Sequence, residues 1–202
     1  MKKIFALFIG LFLLPLSLNA ADFEEGTHYE VLNKPATEKP EVLEFFSFYC
    51  PHCMQFEPLM DILKKDLDSN VSIKKNHVNF LGGNMGAKLT QAYSAAKLLD
   101  VDEDFSKELF NQIHKQKRTI NSEQAILNVF SKVGVSSDAA TAALQGFSAN
   151  GMASQMRRKT EKYQIRGVPT LIVNGKYQVK TGSVKTIEEF TSLVAFLTTK
   201  TQ

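Results

Sequence analysis

Glu41-Val42-Leu43-Glu44-Phe45-Phe46-Ser47-Phe48-Tyr49 runs directly into Cys50-Pro51-His52-Cys53, and the fold is decided at that junction. The first nine residues are nearly continuous in apolar, aromatic or β-branched side chains, the pattern of a buried central strand. Helix signals follow at once. Pro51 falls in a first turn, where its missing N–H costs nothing. Phe56, Leu59, Met60 and Leu63 then recur at helical spacing. Pro58 lies inside this helix and is expected to kink it. The two cysteines, the only ones in 202 residues, therefore sit where a strand meets a helix. The first sulfur lies near the helix N-terminus, where unpaired N–H groups and the macrodipole favour an anion. A thiolate is that anion, and it is the form that attacks disulfides. The pair reads as a thiol–disulfide exchange site. A static bridge is the competing reading, but so short a ring constrains the unfolded chain little.

On the N-terminal side, Met1 to about Ala20 reads as a secretory signal. Lys2 and Lys3 form its positive end, Ile4 to Leu18 is apolar, and Asn19-Ala20-Ala21 offers small residues for cleavage. The apolar run is short of the ~20 residues that span a bilayer, and Pro15 interrupts it. Tyr29, Val31 and Leu32 form a short strand-like stretch, and Pro35 and Pro40 bracket a loop.

On the C-terminal side, Asn70 to Phe80 looks like a second strand, with Val71 and Ile73 in alternation. Strand, helix, strand implies parallel pairing with a right-handed crossover. Gly82-Gly83-Asn84 breaks the pattern. From Ala87 to about Tyr163 the periodicity is helical throughout. Helices are expected over Lys88–Leu99 and Phe105–Gln116. A third starts at Asn121, with Gln124 in the capping-box position, and ends at Gly134. A fourth is capped by Ser136 or Ser137, and a fifth runs from Ala149 to Tyr163. Val168 to Val173 resumes strand character, Asn174-Gly175 signals a hairpin into Lys176–Val179, and Thr186 with Glu189 caps a closing helix. The expected organisation is a leader over 1–20, an α/β domain over 21–83 and 158–202, and an all-helical subdomain over 84–157 inserted between its halves.

Hydrophobic residues make up 44% and charged residues 22%, which is globular composition with enough apolar material for a core without disulfide staples. The net charge is +3, and loss of Lys2 and Lys3 with the leader lowers it to +1. No basic block points to nucleic acid. An exported chain lives where disulfides form and persist, so a lone pair there is a fixed bridge or an exchange catalyst.

Cys50-Pro51-His52-Cys53 after a Phe-rich strand, Gly167-Val168-Pro169 ahead of an Asn-Gly hairpin, and helices between them resemble the DsbA family, exported dithiol oxidases of the thioredoxin fold. The resemblance covers essentially the whole chain beyond the leader. It implies a mixed central sheet with flanking helices and a cis bond at Val168–Pro169. It also implies residue roles. Cys50 is the exposed, exchanging sulfur, and Cys53 is buried and closes the ring. Pro51 shapes the turn. The His52 imidazole, or the local N–H groups, can stabilise the Cys50 thiolate, and stabilising the reduced form makes the disulfide more oxidising. Pro169 faces the sulfurs, and the Val168 backbone pairs with a bound peptide as with an added strand. Glu44, a carboxyl on the face of Val42, Phe46 and Phe48, lies beneath the active-site helix as a proton acceptor for Cys53. The other reading of Glu44 is a strand-end residue paired with a lysine.

Other groups have blander readings. His28, His77 and His114 are structural or solvated. Glu57 belongs on a helix surface, and Lys74-Lys75 and Arg157-Arg158-Lys159 on solvated faces. Implied partners are folding exported proteins with free cysteines and a DsbB-type quinone-linked membrane oxidase for recharging, in the periplasm. No cofactor is required. A disulfide isomerase or reductase is the nearest alternative. Isomerases of this fold use a dimerisation domain, for which no segment is spare, so a monomer is expected. A soft-metal module on Cys50, Cys53 and His52 is the other alternative, but no second cysteine pair completes a zinc set.

Overall fold

The structure, a computed structural model, describes residues 23–200. The expected leader over 1–20 lies outside the described residues. The chain begins with strand β1 (Tyr29–Val31) and β2 (Glu41–Phe46), then helix α1 (Pro51–Asp66) and β3 (Ser72–His77). Five helices follow: α2 (Asn84–Leu98), α3 (Asp102–Phe110), α4 (Glu123–Lys132), α5 (Ser137–Gln145) and α6 (Phe147–Lys162). The chain returns through β4 (Thr170–Val173) and β5 (Tyr177–Val179) to α7 (Ile187–Thr199). The sheet order is β1-β5-β4-β2-β3. β2 pairs parallel with β3, and the other neighbours are antiparallel. This is the expected thioredoxin-type mixed sheet with a helical insertion.

Strand β2 is central because both its faces are covered. Leu43 and Phe45 pack on Val78, Ile165 and Ile172. Val42, on the other face, joins Phe56, Met60 and Leu63 of α1 and Leu193 and Val194 of α7. Further along that face Phe46 enters the helical insertion's core with Phe48, Tyr93, Phe105, Phe110 and Phe130. The insertion is thus not a separate body. Its core continues the end of β2 that leads to the cysteines. On β3, Asn76 ties the sheet to α6 through hydrogen bonds to the Met156 carbonyl and the Thr160 hydroxyl.

Local signals and local structure agree closely. Asn174 and Gly175 take φ of 51° and 67°, the left-handed pair that a two-residue hairpin turn requires. Ser136, not Ser137, caps α5 by accepting the Ala139 N–H. The cap of α4 is Ser122, one residue beyond the expected Asn121, and its hydroxyl accepts the Ala125 N–H. Gln124 bonds Asn128 rather than reaching back, so no capping box forms there. Thr186 does cap α7, and Glu189 reaches back to the Lys185 N–H instead of the cap's own. Helix α1 runs through Pro58 to Asp66. The single helix expected over Phe105–Gln116 is instead α3 followed by a wide π turn, Asn111–Lys115.

Candidate active site

The turn Ser47–Cys50 ends β2 and delivers Cys50 as the N-cap of α1. Its sulfur accepts the Cys53 N–H at 3.3 Å, doing for this helix what a serine or aspartate oxygen does at an ordinary cap. The two thiols are not bridged. Cys50 is not the exposed sulfur expected: it is buried to 6% exposure under the Val168 carbonyl, and Cys53 is buried completely. Burial, foremost, pushes the Cys53 thiol far above the usual cysteine range, and the neighbouring Cys50 and Glu44 add to that push. Pro51 and His52 are exposed in the first turn, and His52 makes no side-chain hydrogen bond among the described residues.

The second wall comes from 118 residues downstream. The Val168 carbonyl lies 3.3 Å from Cys50 Sγ and accepts its S–H, and the Val168–Pro169 peptide is cis. The structure therefore brings Cys50, Cys53 and Val168 into contact, with Pro169 next in the chain.

Glu44 is fully buried on β2, and the parallel register sets it opposite Lys75 of β3. The Lys75 ammonium stands 3.2 Å from Glu44 Oε2 and pairs also with Glu57 of α1. Neither Glu44 oxygen has a well-aligned hydrogen bond. Burial raises the Glu44 pKa to about 7, with the Lys75 charge pulling down and the Glu57 charge pushing up. Lys75 itself is held above the ordinary lysine range because the two carboxylates outweigh its own burial. Lys75 and Glu57 correct the sequence reading. Lys75 is not on a solvated face, its side chain being only 15% exposed, and Glu57 is a half-buried member of a three-residue ion network. The signal was present in Glu44: a lone carboxyl in an apolar strand needs a cation, and the adjacent parallel strand is where one is found.

Two histidines grip Phe48, two residues before Cys50. His77 is fully buried, stacks on the Phe48 ring, and accepts the Phe48 N–H at Nε2. Its proton therefore sits on Nδ1, which donates to Thr90 Oγ1, and that hydroxyl donates to the Gly86 carbonyl. Burial lowers the His77 pKa to about 3. His114, from the π turn, donates to the Phe48 carbonyl at 2.7 Å. Next in line, the Tyr49 hydroxyl donates to the Ile120 carbonyl at 2.6 Å. The Tyr49 ring lies against Gly82, where a Cβ would stand 2.2 Å from Tyr49 Cε2 and φ is +83°. Glycine is required there on both counts. His77 is structural, as expected. The tie from His114 to the redox turn had no signal in sequence, because the two ends are 66 residues apart.

Similarity to known proteins matches this geometry. The family model described as a DSBA-like thioredoxin domain matches residues 41–192. The thiol:disulfide interchange protein DsbA of Pectobacterium carotovorum is 39% identical, covering 99% of this chain and all of that protein. DsbA of Escherichia coli K12 is 38% identical over the same shares. Among solved structures, Proteus mirabilis DsbA with a non-covalently bound peptide superposes with a TM-score of 0.82 at 33% identity, covering 89% of this chain and all of that one. Klebsiella pneumoniae DsbA gives 0.81 at 28% identity, covering 89% of this chain and 99% of that one. The N-cap cysteine, its buried partner and the apposed Val168–Pro169 segment thus stand in a chain that belongs to the DsbA family.

Proposed function

We propose that the protein is a dithiol oxidase that donates the Cys50–Cys53 disulfide to exported polypeptides. Membership of the DsbA family makes it a thiol:disulfide oxidoreductase. The observation that carries the direction of transfer is the contrast between the two sulfurs. Cys50 occupies a helix N-cap, accepts an N–H and touches the surface, whereas Cys53 is sealed. N–H donation at a helix N-terminus favours an anionic sulfur, which stabilises the reduced protein.

In the oxidised protein a substrate thiolate attacks Cys50 Sγ. The Cys50–Cys53 bond breaks and a mixed disulfide forms. Cys53 leaves with the electron pair and takes a proton, since burial opposes its thiolate. Glu44, poised near neutrality above Lys75, exchanges that proton. A second substrate thiolate then attacks the substrate sulfur of the mixed disulfide and releases Cys50 as thiolate. The substrate loses two electrons and the protein gains them. His52, exposed beside Cys50, offers its imidazole N–H to the thiolate, Pro51 sets the helix start, and Val168 and Pro169 hold the peptide. The peptide bound by the Proteus mirabilis relative supports an extended segment as the substrate form.

The remaining readings follow from that role. The protein works as a monomer in the periplasm, its leader removed, and is recharged by a DsbB-type membrane oxidase. No helix among the described residues is long and apolar enough to cross a membrane. The test is equilibration with glutathione. A Cys50–Cys53 disulfide reduced far more readily than that of thioredoxin is expected, with His52→Ala shifting the equilibrium toward the oxidised form about tenfold. A disulfide as resistant as thioredoxin's refutes the assignment.

A further inference from the structure

The segment that leads into Val168 borders a cavity of about 470 Å³, whose walls include Asn79, Phe80, Arg157, Glu161, Ile165 and Arg166. Arg157 comes from α6 and Arg166 from the loop that follows it. Neither guanidinium takes part in an ion pair among the described residues. The larger groove along α1 pairs Lys64, Lys75 and Lys97 with carboxylates and carries Lys107 and Lys115 besides, so its cations are lysines, where those of the smaller cavity are arginines. With two arginines against Glu161, the smaller cavity keeps an uncompensated positive charge. Phe80 adds an exposed aromatic wall beside these cations, and exposed aromatics with arginine are what interfaces are enriched in.

The position of this cavity gives it a use. Arg166 precedes Val168 by two residues, so their Cα atoms lie within about 7 Å of each other. The Val168 carbonyl in turn touches Cys50 Sγ. A peptide whose cysteine reaches Cys50 therefore passes within side-chain reach of Arg166.

We propose that this cavity is a selection subsite for a carboxylate side chain, Asp or Glu, a few residues from the reacting cysteine of the polypeptide being oxidised. The proposal rests on the exchange reading above. The planar guanidinium fork meets a carboxylate in two parallel hydrogen bonds, which fixes the geometry as well as the sign of the partner. Both arginines are exposed, so each pair is individually weak, and its effect falls on encounter as much as on residence.

The test is a set of cysteine peptides that differ only by Asp, Ser or Lys, placed in turn at each position from about four before to four after the cysteine. The rate of disulfide transfer from the oxidised protein is measured at low salt. The Asp peptide should outrun the Lys peptide about three- to tenfold over a short register on one side of the cysteine. The preference should vanish near 1 M salt, where the screening length is about 3 Å. R157Q should remove most of the preference and R157E invert it, Arg157 being a helix-surface residue well separated in sequence from Val168. Equal rates for Asp, Ser and Lys at every position, or a preference that R157E leaves intact, overturn the subsite alone. No exchange with any peptide, the Ser series included, removes the oxidase reading and the subsite with it.

Discussion

Lys75 and His77 stand two residues apart on one face of β3, and β2 sets Glu44 and Phe46 opposite them. Each neighbourhood buries an ionisable side chain completely, Glu44 in one and His77 in the other. The outcomes are opposite. His77 is surrounded by neutral partners that use both ring nitrogens, the Phe48 N–H and the Thr90 hydroxyl, so nothing supports a second proton. Desolvation then holds it neutral down to about pH 3. Glu44 lacks aligned hydrogen bonds and faces a cation that is shared with Glu57. Desolvation raises it and Lys75 restrains the rise, so it stops near 7. Burial among neutral partners locks a protonation state. Burial beside a shared charge leaves the group able to change it, which is what a proton exchanger for Cys53 needs.

The largest expected effect tests the locked group. His77 is depressed from 6.5 to about 3, so its contribution to stability is fully present above pH 6.5 and is lost as pH falls toward 3. The share is about 5 kcal/mol over that window. Urea unfolding of the reduced protein from pH 7 to 3 should show it, and His77→Gln should flatten the acid limb. A variant that keeps the full slope would place the acid sensitivity elsewhere.

The poised group should behave in the opposite sense, and less strongly. Glu44 is raised from 4.5 to about 7, so its contribution is fully present below pH 4.5 and is lost as pH rises through 7. Glu44→Gln should relieve about 3 kcal/mol of that loss at pH 8, read as a higher urea midpoint than wild type. It should also slow reoxidation of the Cys50–Cys53 pair, where Cys53 must give up a proton. Equal reoxidation rates in the two proteins would remove Glu44 from the mechanism.

Lys75→Met sharpens the contrast at the smallest scale. Without that cation, burial and the Glu57 charge act on Glu44 with far less opposition, and its titration should move upward from about 7. Carbon NMR of the Glu44 carboxyl reads this directly. An unmoved midpoint would mean that Lys75 serves Glu57 alone.

Much of the fold was legible because it is written over short distances. The Phe-rich run, the proline in the first turn and the Asn-Gly pair each act within a few residues, and the structure has a strand, a helix start and a hairpin at those places. Misreadings fell where the competing choices were also local and nearly equal. Ser122 takes the cap that Asn121 could also have taken, since both present a short oxygen-bearing side chain. The break of α3 into a π turn at Asn111 is invisible in apolar periodicity. It brings His114 to the Phe48 carbonyl, a contact that exists only once the insertion folds over the end of β2.

By itself the sequence determined the chemistry: two sulfurs three residues apart, the first at a helix start, because a helix cap is settled by the four residues that make it. Tertiary structure alone decided how that chemistry is tuned. Lys75 looks like any strand lysine until the β2–β3 register and the α1 crossover place it between Glu44 and Glu57. Val168 was joined to the site by resemblance alone until the sheet brought it across 118 residues to Cys50. Spacing along the chain dictates which backbone groups a residue can reach, whereas a buried charge takes its partner from whatever the packed sheet puts beside it.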